Sequence, residues 1–380
     1  MNEYLHLGPF SDWVDEARRQ GPLYLLAAPG PETQRRVAEA LGFCSGPEMP
    51  IDVRVESRWE RDGLLGEEIS WSVGYGPRTH AWLLKPAGAN GPLPGVLALH
   101  DHGGFKYRGK EKIAEGEQAP ERYLERYRET SYGGRPWANA LALKGFAVLV
   151  PDTFLWGSRR FPVEVMKTAL QMEIPAAALE WNERELLAPR EVAEYNFLCG
   201  HFEHTVEKYL NLLGTCLAGV VAHEDRIALN VLRGRPEAQT ENLACMGLSG
   251  GGNRAGLLRA TAQGLKAAVV VGLMSTYSGL YDHNVQSHTW MFFPSQWARH
   301  GDWPDLVACQ APAALLVQYD LEDDLFTMEG MRAADARLKE LYDSVGKQGG
   351  YTGQFYPGPH KFDVEMQEAA FRWLKEKVGT

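Results

Sequence analysis

The spacing of hydrophobic positions changes character several times along the chain. Near the start, Asp12 can cap a helical run through Ala17 and Arg19, and Pro31 followed by Glu32 opens a second helix. Over residues 51–73 apolar and polar residues alternate in short runs such as Asp52-Val53-Arg54-Val55-Glu56, and residues 79–85 continue them, which predicts half-exposed strands. Two compact apolar runs follow, Gly95-Val96-Leu97-Ala98-Leu99 and Phe146-Ala147-Val148-Leu149-Val150, each closing on polar residues where a buried parallel strand would emerge. A helix is predicted between them over 137–144. A Glu-rich, largely helical stretch at about 161–233 exceeds what a crossover between neighbouring parallel strands requires, so part of it is expected to cap a site. Strand-like runs at 243–246, 266–271 and 314–317 alternate with helical patterns, and a strand at 352–356 precedes an amphipathic helix at 364–378. This alternation predicts an α/β fold with a mostly parallel central sheet flanked by helices. Its expected parts are an N-terminal helical extension over 1–50 and a main domain over 51–380 with a helical cap insertion at about 158–195.

Composition narrows the function classes. With 380 residues, 44% hydrophobic and 23% charged, the chain can bury a large core. A formal net charge of -10 without clustered Lys and Arg argues against nucleic-acid partners. Five scattered cysteines, Cys44, Cys199, Cys216, Cys245 and Cys309, form no C-x-x-C pair, so neither a zinc site nor a disulfide framework is expected. A reducing, cytoplasmic setting fits this usage. The opening Met1-Asn2-Glu3-Tyr4-Leu5-His6 lacks a basic segment followed by an apolar run, and no later stretch approaches the roughly 18 apolar residues of a membrane span. No cofactor and no membrane partner are therefore expected, and a homo-oligomer remains open.

The chemistry concentrates at three places. The run ending at Met246 leads into Gly247-Leu248-Ser249-Gly250-Gly251-Gly252 and then a helix-like segment, which predicts a strand, a tight turn and a helix. A serine on so sharp a turn needs small neighbours, because larger side chains would collide with strand and helix. The bland alternative is a glycine-rich turn with a bystander serine. A serine hydroxyl is a poor nucleophile at neutral pH and requires a base, oriented by an acid. Strand 314–319 exits into Asp320-Leu321-Glu322-Asp323-Asp324-Leu325-Phe326; Asp323 is preferred because Leu325 and Phe326 would anchor the turn around it, with Asp320 and Asp324 as alternatives. Pro357-Gly358-Pro359-His360 places His360 on a rigid loop between the last strand and the last helix, and the order nucleophile, acid, histidine completes a candidate triad. For the oxyanion, the residue after the serine supplies the Gly250 amide, and the loop His100-Asp101-His102-Gly103-Gly104 supplies a second from His102 or Gly103.

These segments, with Gly109-Lys110-Glu111-Lys112, Pro151-Asp152 and Trp156-Gly157-Ser158-Arg159, resemble the dienelactone hydrolase and acetyl xylan esterase branch of the α/β-hydrolases over roughly 51–378. The resemblance implies an α/β-hydrolase fold and a serine carboxylic-ester hydrolase acting on short-acyl esters, including acetylated sugars and oligosaccharides. A serine peptidase of the prolyl-oligopeptidase type shares the chain order but has a propeller-forming repeat, for which nothing here provides; an inactive binding protein on the same fold is the third reading. His100-Asp101-His102 and His201-Phe202-Glu203-His204 lack metalloprotease spacing, so no metal is expected, and Asp101 with Lys110-Glu111-Lys112 is read as bracing the oxyanion loop. Trp156, Tyr277 and Trp290 are candidates for the substrate pocket, with core packing as the equal alternative.

Overall fold

In a computed structural model the described residues are 4–43, 48–294 and 296–379. Cys44 and Met1 to Glu3 lie outside them. Nine strands form one sheet: β1 Ile51–Arg61, β2 Leu64–Ser72, β3 Thr79–Pro86, β4 Leu93–Leu99, β5 Ala147–Pro151, β6 Ala238–Leu248, β7 Leu265–Val271, β8 Ala314–Asp320 and β9 Tyr351–Tyr356. Their spatial order is β1-β2-β3-β5-β4-β6-β7-β8-β9. The first three run as an antiparallel meander and β3 meets β5 antiparallel, after which every pairing to β9 is parallel. Edge strand β1 has two breaks in its register with β2 and exposes Arg54 and Arg58.

Parallel strands covered on both faces must be apolar at every position. In β4, Val96 and Ala98 point into one core while Leu97 and Leu99 point into the other; in β5, Val148 and Val150 oppose Ala147 and Leu149 in the same way. The first core lies under helices Arg122–Tyr132, Trp137–Leu143 and the C-terminal helix Val364–Val378. The second lies under helices Pro31–Leu41, Leu217–Arg233 and Gly250–Thr261, with Trp303 and Tyr342 adding bulk. Val37 and Leu41 are buried there, so the N-terminal segment packs into the main core rather than standing off it.

Local differences from the sequence reading have simple causes. Asp12 begins its helix and does not cap it; Ser11 occupies the cap, and Asp12 contributes negative charge to the first turn. β6 begins at Ala238, five residues before its apolar run, because backbone pairing of Leu93 and Pro94 with Ala238 and Gln239 needs no apolar side chains. Between β5 and β6 come Val163–Leu170, two short turns and Arg190–Leu212, a helix that continues past the expected insertion limit at 195. Among the described residues no helix is long and apolar enough to cross a membrane.

Candidate active site

Ser249 sits where β6 gives way to the helix Gly250–Thr261, with φ 57° and ψ -122°. That backbone is costly for a residue with a Cβ, and two hydrogen bonds hold it: the Ser249 N–H donates to the Val271 carbonyl (2.8 Å), and the Asn253 N–H donates to the Ser249 carbonyl (2.8 Å). The glycines are a packing requirement. A Cβ on Gly251 would lie 2.2 Å from the Leu99 carbonyl oxygen, which is backbone and cannot swing aside. Gly251→Ala is therefore expected to destabilise the fold by about 1–3 kcal/mol or more, read as a lower urea midpoint at unchanged slope.

His360 is placed by its loop. The Glu322 N–H donates to the Gly358 carbonyl (3.0 Å), the Lys361 N–H donates to Asp320 Oδ2 (3.2 Å), and Phe362 is buried against Trp137. His360 Nδ1 lies 2.7 Å from Asp323 Oδ2, while Asp323 Oδ1 accepts the Leu325 N–H at 2.9 Å. Among the three competing aspartates, Asp323 is the one on the imidazole. Asp320 is buried at the strand end with Oδ1 unpartnered, and burial pushes its carboxyl up to about 7. Asp324 is exposed. The imidazole of His360 packs over Gly272, directly after Val271, whose carbonyl receives the Ser249 N–H. Its Nε2 is buried and makes no hydrogen bond, so it does not contact the Ser249 hydroxyl within bonding distance here. Such contacts in unliganded sites commonly close only around substrate.

Burial disfavours the imidazolium of His360, but the hydrogen bond and charge of Asp323, with Asp320 and Asp101 beyond, outweigh it and raise the group above its ordinary 6.5. The neutral base therefore appears only above that value. The acid limb of activity is expected to lie above pH 6.5, as a pH profile of kcat/KM will show.

Of the three candidate oxyanion donors, Gly250 and His102 lie side by side. A Cβ on Gly250 would fall 2.5 Å from the His102 backbone nitrogen. Gly103, with φ +57°, could not carry a side chain at all, because its Cβ would overlap the Tyr127 hydroxyl. Asp101 underlies this loop and accepts from Tyr127 Oη, Tyr132 Oη and Lys112 Nζ, the last at 3.3 Å from Oδ2. Burial alone would raise the Asp101 carboxyl; Lys112 and the two hydroxyls hold it below its usual range. Lys112 thus braces the loop, whereas Lys110 instead pairs with Asp152 at the end of β5 (3.0 Å).

The three aromatic pocket candidates are not brought together. Trp156 is buried under the loop, its ring 5.2 Å from that of His102. Tyr277 is nearly buried and lines a cavity of about 210 Å³ with Tyr24, Tyr281 and Phe293. Trp290 lines a different cavity, of about 800 Å³, beside His204 and Leu212. Donor atoms of Asp320, Asp323 and His360 lie within 4.8 Å of one another, close enough to enclose a small cation, though the Asp323 to His360 hydrogen bond engages two of them.

No family model matches the chain. It is 21% identical over 328 residues to a Bacillus subtilis (strain 168) protein named "Putative hydrolase YtaP", covering 86% of this chain and 93% of that one. A Bacteroides fragilis NCTC 9343 structure described as a "putative acetyl xylan esterase" superposes with TM-score 0.66 at 15% identity, over 96% of this chain and 94% of the other. A glucuronoyl esterase from Solibacter usitatus gives TM-score 0.60 at 13% identity over 92% of each. The chain has the α/β-hydrolase fold. In that fold a serine on the turn after a central strand stands at the carboxyl edge of the sheet, with its acid and histidine on later loops. Ser249 lies on the turn after β6, Asp323 on the loop after β8 and His360 on the loop after β9. Glu203, which the sequence reading weighed only within a metal-like motif, is buried on the helix Arg190–Leu212 and bonded to His102 Nε2 at 2.9 Å.

Proposed function

We propose that the protein is a serine carboxylic-ester hydrolase. The observation that carries the reading is the 2.7 Å pair of His360 Nδ1 and Asp323 Oδ2, set on the backbone that flanks the strained Ser249 turn. Ser249 Oγ attacks the ester carbonyl as His360 Nε2 takes its proton, and the His102 and Gly250 amides receive the oxyanion. Collapse of the tetrahedral species expels the alkoxide, which recovers the proton from His360 and leaves an acyl-serine. Water, deprotonated by the same imidazole, then releases the acid. Asp323 stays ionised throughout, and no step requires a cofactor or a metal.

Short-acyl esters are the proposed substrates, acetylated saccharides foremost. The reading draws on the names of the Bacteroides and Solibacter proteins, a "putative acetyl xylan esterase" and a "Glucuronoyl Esterase". Buried, scattered thiols at Cys199, Cys245 and Cys309 support a cytoplasmic setting.

The test is direct. Purified protein is assayed with p-nitrophenyl esters of increasing acyl length, acetylated xylo-oligosaccharides and a peptide anilide, and a fluorophosphonate adduct is mapped by mass spectrometry. Ester turnover that falls with acyl length, with the adduct on Ser249, is expected. Anilide cleavage without ester turnover, or an adduct on another residue, would remove the reading.

A further inference from the structure

A second set of buried charges lies beside the oxyanion loop and takes no chemical part in the steps above. Glu203 is almost wholly shielded from solvent. Its Oε2 accepts from His102 Nε2 at 2.9 Å and from Lys106 Nζ, and its Oε1 accepts from Thr289 Oγ1 at 2.9 Å and from the Trp290 N–H at 3.1 Å. The other ring nitrogen of His102, Nδ1, accepts the Gly104 N–H at 3.1 Å. A ring that accepts at Nδ1 and donates from Nε2 is a neutral imidazole in a single tautomer. Burial and the Lys106 charge keep His102 below the ordinary histidine range against the pull of Glu203, which agrees with that assignment.

Two consequences follow for the loop. The bond from Gly104 back to the ring closes the turn through Gly103 and Gly104, both at positive φ, and so ties the shape of the loop to the orientation of the His102 ring. A lone carboxylate near a developing oxyanion would oppose it, but Lys106 lies against Glu203 and offsets the charge. Three separate segments thereby meet on one side chain: the oxyanion loop, the helix Arg190–Leu212 and the Thr289-Trp290 turn.

We propose that Glu203 is a positioning residue for the hydrolysis, fixing the His102 ring so that the His102 backbone amide points at the oxyanion. The role rests on the acyl-transfer reading given above. It differs from simple anchoring in what it predicts: anchoring governs how many molecules fold, whereas positioning governs how fast each folded molecule turns over.

The experiment compares wild type with Glu203→Gln. Glu203→Leu/Lys106→Met serves as a second variant that leaves no unpaired buried charge should the first fail to fold. Sites are counted by fluorophosphonate titration. Per-site kcat for p-nitrophenyl acetate is expected to fall about 10- to 100-fold with KM within about twofold, because the lost interaction acts on the transition state. Affinity for a trifluoromethyl ketone, whose serine adduct carries the oxyanion, is expected to fall by the same factor. Imidazole nitrogen spectra should show His102 as the neutral Nε2–H tautomer in wild type and as a mixture in the variant. Per-site kcat within about twofold of wild type, a fall confined to the count of active sites, or the opposite tautomer in wild type would each overturn the proposal. Turnover surviving in Ser249→Ala would instead sink the acyl-transfer reading and this role with it, while the spectra still report the contact of Glu203 with His102.

Discussion

Ser249→Ala is expected to lower ester turnover about 10⁵- to 10⁶-fold while leaving the melting temperature within a few degrees of wild type or above it. The loss is large because no other group can form the acyl intermediate, and what survives reflects the oxyanion donors and binding alone. The stability expectation has a separate origin. Ser249 holds φ 57°, ψ -122°, and alanine at the same position keeps the strained backbone but gives up only one hydroxyl of a partly buried residue. The measurement is p-nitrophenyl acetate hydrolysis after removal of contaminating esterase, alongside a thermal melt. Activity above about one-thousandth of wild type, on the order of 100 to 1000 times the expected residue, would remove Ser249 from the mechanism.

The second large effect concerns Asp323. Asp323→Asn is expected to cut kcat/KM by about 10⁴-fold, since an amide in place of the carboxylate can hold the imidazole in the wrong tautomer and cannot stabilise the imidazolium. It carries a pH signature too. The folded protein raises His360 above 6.5 chiefly through the hydrogen bond and charge of Asp323, working against burial. Without that charge, burial prevails and the pKa falls, so the acid limb of the residual activity should move to lower pH. The same linkage bears on stability: a raised histidine pKa stabilises the fold fully below the unfolded value of 6.5, and that contribution is lost as pH rises through the folded value. The substitution should therefore cost more stability at pH 5 than at pH 9, which denaturation at the two pH values will measure. An unmoved acid limb would show that another group, Asp320 first among them, sets the base.

Much of this arrangement was legible in the residues before any coordinates. Strands β4 and β5 and the later halves of β6 and β7 announce themselves as apolar runs because both of their faces are buried, and the glycines around Ser249 because backbone atoms fill the space a Cβ would need. The preference for Asp323 over its neighbours rested on the apolar pair after it, and Phe326 is indeed buried. Other parts had no local signature. The polar start of β6 is held by backbone pairing, to which side-chain patterning is blind. Trp156, Tyr277 and Trp290 could be read equally as pocket or as core, and the structure puts Trp156 in the core beside His102 and the other two on separate cavities. Glu203 pairs with a histidine 101 positions away, and no spacing rule reaches so far. A faint signal existed: it falls on the same helix face as buried Cys199, Val206 and Leu210, where a charge needs a buried partner.

The irregular first strand has a bearing on self-association. An open sheet edge invites a neighbouring molecule to add its own strand, yet the register breaks of β1 and its outward arginines interrupt the regular row of amide and carbonyl groups such an addition would need. If copies of this protein do assemble, growth of a continuous intermolecular sheet through that margin is disfavoured, and the contact must come from another surface.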